Sequence, residues 1–525
     1  MGSQYLILLI IPLVILLGLA LALTGGVQIA EGKFLLPTTL VAGPALVLVL
    51  YLLNWQPIIL CFFTLHLSGT IPIAKNLSPS DLAIALTFVW FVINSVIFKR
   101  QNLRIYHWPL FFCLCIVAAI LLFNFARGGG GFRIFGSEVW GGRRYLNTFI
   151  GLSFYIILGM WRPDLKLLNK IPYLVFAAYC ADFAVWVVQF AVPASIPAMY
   201  PFYTGLQHEL YETSNQFFER DVGVQRLFGL RTIGLGLILF CLTTTNFKDF
   251  LAPKNLLYLF ILIPLGLTCV AMAGFRSYFA IALFMVGLGC ILRLRWLSFV
   301  PGLLGVTVLA LVIAGQGQLY HLPLQVQRTL SWLPGNWDRQ AAWDAKASTD
   351  WRMEIWKIWY DRYFPENPLI GRGWNINAQQ VFGTGGTVGT SGLTQEDVYQ
   401  TYAGMGALHN GPLSAIDVTG AIGFIFVLAS SIIALAYMWH RAREIGFLNL
   451  EPVQRYVLIN LTSWVVLFYF LDGFFERFID YFFIMCGLAV IAFNKTFLAD
   501  HLQTSTDKPE LRHTITVKTS TVATQ

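Results

Sequence analysis

The sequence predicts an all-α polytopic membrane protein with about 12 to 14 transmembrane helices and one large loop outside the membrane. Composition is the first reason: of 525 residues, 57% are hydrophobic and 12% are charged, and the mean hydropathy is +0.66. Soluble domains carry about 25% charged residues. Length is the second reason, because the chain repeatedly shows apolar runs of about 17 to 25 residues, which cross a bilayer as helices.

The apolar runs define the predicted helices in chain order. They lie at 4–24, 36–53, 56–73, 80–98, 107–124, 144–161, 171–192, 229–246, 255–273, 276–293, 297–315, 412–438, 455–471 and 477–494. Residues 1–315 are therefore expected to form a membrane bundle of about eleven helices. Residues 411–495 are expected to add three C-terminal helices.

Short basic connections predict the orientation of the bundle. They are "FKRQNLR" (98–104), "WRPDLKLLNK" (161–170), "NFKDFLAPKN" (246–255), "RLRW" (293–296) and "HRAREIGF" (440–447). Loops rich in Lys and Arg stay in the cytoplasm, so both termini are expected inside. The opposite side then receives 125–144, 193–228, 273–277 and the loop domain 316–410, and the Thr-rich tail 496–525 is expected to be disordered.

Several functional classes are disfavoured by residue usage. The isoelectric point near 9.0 does not indicate a nucleic-acid partner, because the basic residues are scattered through loops as membrane topology requires. All eight cysteines fall in apolar runs, which disfavours a disulfide framework or a zinc site. The sequence has no DxD pair and no HExxH, so no metal site and no cofactor are predicted.

The long loop contains a predicted amphipathic helix, "WRMEIWKIWYDRYFPENPLIGRGW" (351–374). Trp351, Ile355 and Trp359 fall at helical spacing, and Pro365 ends the pattern. Seven of the 16 tryptophans lie between 332 and 374. Two interpretations stay open: anchoring at the membrane interface, or a platform that stacks on sugars. The glycine-rich "GTGGTVGTSG" (383–392) lacks the features of a phosphate-binding loop and is expected to be flexible.

Four arginines on the predicted outer side are candidates for binding an anion: Arg226, Arg231, Arg276 and Arg352. Arg276 sits in a tight turn between two apolar runs, where an unpaired charge is costly. A guanidinium suits phosphate because its planar fork donates parallel, charge-assisted hydrogen bonds. Snorkelling to the interface or a structural ion pair is the alternative for each arginine.

His409 stands in "GALHNGPLSAIDVTGAIG" (406–423), at the start of a predicted transmembrane helix. An imidazole exchanges protons near neutral pH and is a common general base. Asn410 and Asp417 are expected to orient or polarise it. The alternative is a structural histidine with satisfied hydrogen bonds.

Taken in order, these motifs resemble the O-antigen ligase/polymerase family of bacterial membrane glycosyltransferases. The resemblance covers roughly residues 226–495 and rests on the "FRS" turn, the Arg352-x₃-Trp356 helix, "NPLIGRGW" and "HNGPL…GAIG". It implies a GT-C-like fold in the inner membrane, with the loop and the active site in the periplasm. The turn departs from the family's Ser/Thr-Arg-Gly pattern, and no Pro-Asn follows "RLFGLRTIG".

The resemblance also implies an activity and a set of site residues. The enzyme would move a glycan from undecaprenyl pyrophosphate to an acceptor hydroxyl, with inversion and without a metal. Arg276 and Arg352 would hold the pyrophosphate, and His409 would activate the acceptor. Further contacts to the substrate are expected from Arg226, Arg231, Asn410, Arg372 and Trp356.

The acceptor and the exact class stay open. A ligase would transfer the glycan to lipid A–core, a polymerase would extend a growing glycan, and other relatives modify protein hydroxyls. A lipid-glycan flippase or another transporter is the rival from a different class, since transporters also have many spans and buried arginines. The bilayer is a partner in every case.

Overall fold

The computed structural model is mostly helical. It describes residues 57–67, 69, 78–92, 107–128, 139–160, 165–192, 224, 226–245, 255, 257–374, 376–377 and 395–494. The first two predicted helices, the glycine-rich 383–392 and the tail 496–525 lie outside these residues.

Helices of the first half follow the apolar runs. They are α1 (Pro57–Thr64), α2 (Pro79–Val92), α3 (Trp108–Arg127), α4 (Gly142–Met160), α5 (Ile171–Ala191), α6 (Phe228–Thr244), α7 (Ile263–Met272), α8 (Arg276–Leu294) and α9 (Phe299–Gly315). A short helix, Leu165–Leu168, precedes α5, and a π-helical turn, Tyr258–Leu262, leads into α7.

The second half begins with the long loop and returns to apolar helices. Its elements are α10 (Leu324–Leu330), α11 (Arg339–Ile358), α12 (Gln395–Gly404), α13 (Gly411–Ile445), α14 (Pro452–Val466) and α15 (Phe475–Ala492). A π-helical turn extends α11 to Tyr363 and another extends α14 to Leu471. Strand β1 (Val139–Trp140) pairs antiparallel with β2 (Ile376–Asn377), which ties the start of α4 to the loop.

Within the described residues, five helical segments are long and apolar enough to cross a membrane, which indicates a multi-pass membrane protein. They are Trp108–Arg127, Leu165–Ala191, Arg276–Leu294, Gly411–Ile445 and Pro452–Leu471. Each coincides with a predicted helix, so these predictions of position are confirmed. Shorter apolar helices cover Phe228–Thr244, Tyr258–Met272 and Phe299–Gly315. The count of 12 to 14 stays a prediction.

Helix α14 lies at the centre of the bundle. Its segment is 78% buried, against 28% for the segment that contains α5, and a helix that is covered on all sides must lie inside. It packs on α15, which also packs closely on α4. Among its polar side chains, Asn460 donates to the Tyr481 hydroxyl, which lies 3.2 Å from that of Tyr456.

Glycine lets α6 and α7 approach closely. A Cβ on Gly234 would lie 2.7 Å from the Gly266 carbonyl oxygen, and a Cβ on Gly266 would lie 2.7 Å from Ile238. Neither contact leaves room for a side chain. Small residues promote such backbone contacts between helices in membranes, so this pair fixes the distance between the two helices.

The two ends of the bundle carry different chemistry. At one end, Arg293 donates to the Thr245 hydroxyl and Arg455 to the Thr245 carbonyl, while Asn169 donates to Glu451 at 3.0 Å. These residues belong to the connections predicted to be cytoplasmic or lie next to them. The opposite end holds the long loop and the starts of α4, α8, α13 and α15.

Candidate functional site

Helix α13 is broken at Gly420, and the break positions the site. Gly420 has φ 67° and ψ −179° inside an otherwise helical run, a conformation that belongs almost entirely to glycine. The segment 368–373 of the long loop lies against the break. A Cβ on Gly420 would lie 2.2 Å from the carbonyl carbon of Leu369, and one on Gly371 would lie 2.4 Å from the Gly420 nitrogen.

Four backbone hydrogen bonds join this segment to the two halves of α13. They run from Arg372 to Asp417 (2.7 Å), from Gly373 to Val418 (3.0 Å), from Ala421 to Pro368 (2.9 Å) and from Ile422 to Leu369 (3.1 Å). The loop therefore satisfies the backbone groups that a broken membrane helix leaves open. From α3, Asn124 donates to the carbonyls of Ile370 (2.9 Å) and Val418 (3.0 Å).

A buried ion pair joins the same two elements. Arg372 donates through Nε to Asp417 at 2.9 Å and through Nη2 at 3.0 Å, and the indole of Trp359 donates to Asp417 at 2.7 Å. The Asp417 side chain is 4% exposed. Arg372 also lies 4.4 Å from the ring centroid of Tyr363. Its guanidinium is thus committed to the protein, and this geometry disfavours the predicted substrate contact.

The aromatic face of α11 packs on the protein itself. Ile355 and Trp359 form a small core with Ala403 and Leu408, and Trp351 packs against it. The amphipathic helix predicted within 351–374 is confirmed and begins earlier, at Arg339. Of the two interpretations of its tryptophans, neither holds for this face, because it is covered by α12 and by the segment that precedes α13.

His409 is held in a strained conformation between aromatic rings. It has φ 50°, which is unique to it among the non-glycine residues that the structure describes; such strain typically costs about 1 to 3 kcal/mol and often marks a functional position. Its ring centroid lies 5.2 Å from that of Trp351 and 4.5 Å from that of Phe474. The side chain is 27% exposed, so a ligand can reach it.

Asp472 is the carboxylate beside His409. Their Oδ1 and Nδ1 atoms lie 3.6 Å apart, and both atoms are buried without a hydrogen-bond partner. A small movement would bring them into hydrogen-bond distance. The expectation that Asp417 orients His409 is wrong, because the Asp417 carboxylate is occupied by Arg372 and Trp359. Its role is indirect: it supports the turn before His409, where a Cβ on Gly406 would lie 2.8 Å from Asp417 Oδ2.

Two other residues predicted to contact the substrate hold the His409 segment in place. Asn410 caps α13, since its side-chain oxygen accepts a hydrogen bond from the Leu413 nitrogen at 3.0 Å. The indole of Trp356 donates to the Leu408 carbonyl at 2.6 Å. The Asn410 side-chain oxygen and the Trp356 N–H are therefore already engaged within the protein.

Arg276 and Arg352 meet at α11. Arg276 donates through Nη2 to the Ala345 carbonyl (2.9 Å) and the Thr349 hydroxyl (3.2 Å), and it lies within electrostatic range of Arg352. Arg352 follows Thr349 by three positions and precedes Trp356 by four, so these side chains share one face of the helix. Its Nε is buried without a hydrogen-bond partner. In the part of the chain that the structure describes, neither arginine has a carboxylate within 4 Å.

The charge of a third arginine nearby is neutralised by a carboxylate. Arg328, on α10, is 3% exposed, pairs with Asp344 and donates to the Gly274 carbonyl. This fastens α10 and α11 over the turn that bears Arg276. Arg328 was not among the predicted site residues, although its charge within the largely apolar stretch "LPLQVQRTLSWL" is a signal that could have identified it.

Arg226 and Arg231 surround the same turn through aromatic contacts. The Arg231 guanidinium lies 4.6 Å from the Tyr278 ring centroid and 5.2 Å from that of Phe275, and Arg226 lies 5.5 Å from Phe275. The predicted outer-side arginines Arg226, Arg231, Arg276 and Arg352 thus converge on one region, which we call the arginine cluster.

His409 lies beside the Asp472 carboxylate and against Trp351, the residue before Arg352 of the arginine cluster. The cluster can bind an anion, and the imidazole can accept a proton. Among the described residues, no group of three His, Cys, Asp or Glu side chains is arranged to hold a metal ion. No family model and no curated protein matches the chain.

Proposed function

We propose that the protein is a membrane glycosyltransferase that moves a glycan from an undecaprenyl-pyrophosphate carrier to an acceptor hydroxyl on the periplasmic face. The observation that carries the proposal is that α11 brings together two guanidiniums without carboxylate partners among the described residues, its own Arg352 and the Arg276 bonded to it, and contacts a reachable imidazole through Trp351. The family resemblance indicates which lipid carrier is used and on which side of the membrane the reaction takes place. The arrangement of charges supports the reaction type.

The arginine cluster suits the pyrophosphate of the donor. Only Nη2 of Arg276 takes part in its hydrogen bonds with described residues, so the rest of its fork can meet phosphate oxygens. Arg352 contributes a second charge on the same helix face. Charge develops on the leaving pyrophosphate during transfer, and fixed cations stabilise it without a metal.

His409 then acts as the general base. The acceptor oxygen bonds to the anomeric carbon while the bond between that carbon and the pyrophosphate oxygen breaks. The hydroxyl proton passes to the imidazole, and the electron pair leaves with the pyrophosphate. Attack from the side opposite the leaving group inverts the anomeric centre. Asp472 would stabilise the imidazolium that forms, because it already faces Nδ1.

The test is transfer by purified protein in nanodiscs, supplied with an undecaprenyl-pyrophosphate glycan and an acceptor glycan. His409→Ala is expected to lower the rate by about 10²- to 10⁴-fold, the usual contribution of a general base. His440→Ala is the matched control, since His440 lies at the other end of α13 and is 73% exposed. Equal rates for the two variants would contradict the proposed base.

Glycan gels from the host that carries the gene distinguish the subclasses. With His409→Ala and confirmed expression, bare lipid A–core together with polymer left on its carrier would identify a ligase. A core that bears a single repeat unit would identify a polymerase. Unchanged envelope glycans would remove the glycosyltransferase proposal.

The break in α13 is the observation that favours the rival, a lipid-glycan transporter, because transporters bind substrates at broken helices. In transporters the unwound backbone faces the substrate. Here the freed groups at Gly420 bond to the segment 368–373, and Asn124 takes a further carbonyl. The break in α13 is therefore better explained as a fixed contact between α13 and the loop than as a transport site. If His409→Ala protein moved the lipid-linked glycan from one leaflet of a liposome membrane to the other, a transporter would become the favoured function.

A further inference from the structure

The segment that follows α9 carries almost no charge. Residues 316–337 read "QGQLYHLPLQVQRTLSWLPGNW", and one of these 22 residues, Arg328, carries a formal charge. That arginine is buried and paired with Asp344. A stretch of this length exposed to water would carry about five charged residues. The next 26 residues, 338–363, contain ten, so the character of the chain changes between Trp337 and Asp338.

Helix α9, which leads into this segment, is uncovered and apolar on every side. Of its 17 residues, only Gly315 is buried, and Leu303, Val306 and Leu311 are 65%, 65% and 66% exposed. None of its residues is charged. A helix that is hydrophobic all round and is not covered by protein belongs in lipid. The last turn of α9 therefore lies near the boundary between the hydrocarbon core and the interface.

Both ends of the segment 316–337 fold back onto that last turn. Near the beginning of the segment, the Tyr320 hydroxyl donates to the Val312 carbonyl at 2.6 Å. Near its end, a Cβ on Gly335 would lie 2.9 Å from the Ile313 side chain. The segment thus stays at the level at which α9 ends.

The exposed side chains of the segment are those of a membrane interface. Leu319 is 84% exposed, Trp332 is 54% exposed and Tyr320 is 40% exposed. Tryptophan and tyrosine are enriched where hydrocarbon meets the lipid headgroups. Together with the exposed surface of α9 they form a continuous apolar surface, which a protein does not leave in contact with water without a reason.

The polar groups of the segment are turned inward and satisfied there. Gln316 and Gln327 are buried. Gln316 accepts a hydrogen bond from the Leu322 nitrogen at 2.7 Å. Gln327 donates to the Leu322 carbonyl at 2.7 Å and accepts from the Asp338 nitrogen at 2.7 Å. A segment that has little access to water needs such internal partners for its backbone.

We propose that residues 316–337 lie in the interfacial layer of the lipid bilayer and that the aqueous part of the loop begins at Asp338. We call this segment the interfacial cap. The partner of its exposed surface is lipid: acyl chains surround Leu319, and the headgroup boundary surrounds Tyr320 and Trp332. Continuity with the apolar surface of α9 favours lipid over water and over a second protein. The inference goes beyond the proposed function, because it holds whether or not the chain transfers glycans.

The interfacial cap brings the membrane surface to the arginine cluster. Helix α10 belongs to the cap, and its Arg328 donates to the Gly274 carbonyl. Its Thr329 donates to the Ala271 carbonyl at 3.0 Å. Both carbonyls lie just before Arg276 in the chain. The turn that bears Arg276 is therefore held at the level of the lipid headgroups.

Spin labels measure the depth of the interfacial cap. Leu319→Cys and Trp332→Cys are labelled in the full chain, in nanodiscs of phosphatidylethanolamine and phosphatidylglycerol. Trp343→Cys is the matched control, because Trp343 is exposed to the same extent as Trp332, 54%, but lies in the charged stretch. The unsubstituted chain, treated in the same way, gives the background from the native cysteines.

Power saturation compares how easily each label meets oxygen, which concentrates in lipid, and a water-soluble nickel chelate. Access to oxygen is expected to exceed access to nickel at Leu319→Cys and Trp332→Cys, and the order is expected to reverse at Trp343→Cys. If nickel reached all three labels equally, the cap would lie in water and the inference would be overturned. Labels on the cap that neither reagent reaches would show that a protein covers it, which also overturns the inference; dipolar broadening between labels would then identify a second copy of the chain.

A measurement on the unsubstituted chain keeps the inference testable if a cysteine variant misfolds. Nanodiscs are prepared with a phospholipid that carries a photoactivatable diazirine near the headgroup end of its acyl chain, and the adducts are mapped by mass spectrometry. Adducts are expected within 316–337 and not within 339–358. Their absence from 316–337, or an equal density in both ranges, would overturn the inference.

Discussion

Replacing Gly420 with alanine tests the joint between α13 and the segment 368–373. Gly420 has φ 67° and ψ −179°. Leu369 and Ile370 lie so close that a Cβ would stand 2.2 Å from the Leu369 carbonyl and 2.3 Å from the Ile370 nitrogen. Alanine at this position is therefore disfavoured for two reasons: its backbone conformation is strained, and its Cβ collides with the loop.

The two penalties can be added from the structure. An alanine in this backbone region costs about 1 to 3 kcal/mol. Relieving the collision requires the loop to withdraw, which breaks its bonds from Ala421 and Ile422, each worth about 0.5 to 1.5 kcal/mol. The free energy of unfolding should fall by roughly 2 to 6 kcal/mol in total.

Thermal unfolding of detergent-solubilised protein, followed by size-exclusion chromatography after heating, measures the effect. Gly287→Ala is the matched control, because Gly287 lies inside α8 and its Cβ would meet nothing within 4 Å. Alanine inside a helix is favoured over glycine by about 0.5 to 1 kcal/mol. Gly420→Ala should melt several degrees below the wild type, and Gly287→Ala at or slightly above it. If the two variants melted at the same temperature, the close packing of the segment 368–373 against Gly420 would be refuted.

Three other substitutions test the site. Asp417→Asn should destabilise the fold by about 3 kcal/mol. This is the lower end for breaking a buried ion pair, because the Arg372 side chain is 18% exposed and partly solvated. Adding Arg372→Met to Asp417→Asn should recover part of the loss in melting temperature. Asp472→Asn should lower kcat of glycan transfer by about 10-fold or more without changing the melting temperature, and an unchanged rate would remove Asp472 from the mechanism. Arg276→Lys should lower kcat/KM about 10- to 100-fold, as expected for one lost charge-assisted bond, whereas Arg443→Lys, at an exposed position near the other end of α13, should not.

The predicted positions of the five long apolar helices agree with the structure because transmembrane length and hydropathy are local properties. Helix α11 was predicted in the same way from the spacing of Trp351, Ile355 and Trp359. The partner of that face was not predictable. Its packing on Ala403 and Leu408 depends on residues far along the chain, so the choice between lipid, sugar and protein needed the tertiary structure.

The carboxylate beside His409 illustrates the same limit. Asp417 lies two helical turns after His409, and sequence proximity made it the natural partner. The broken α13 and the bond from Arg372 take Asp417 away, and the turn after α14 brings Asp472 in its place. Hydrogen bonding depends on distance in space, which the order of residues does not give here.

The sequence by itself determined that this is a helical membrane protein with a long polar loop, with arginines and a histidine gathered toward one side. Hydrophobic length, charge scarcity and the cost of burying arginine carry that information in composition and order alone. The tertiary structure alone decided which charges are neutralised. Arg328 and Arg372 have carboxylate partners, while Arg276 and Arg352 have none among the described residues. Electrostatic interaction falls with separation in space, so only the folded chain distinguishes the arginines that pair with a carboxylate from those that do not.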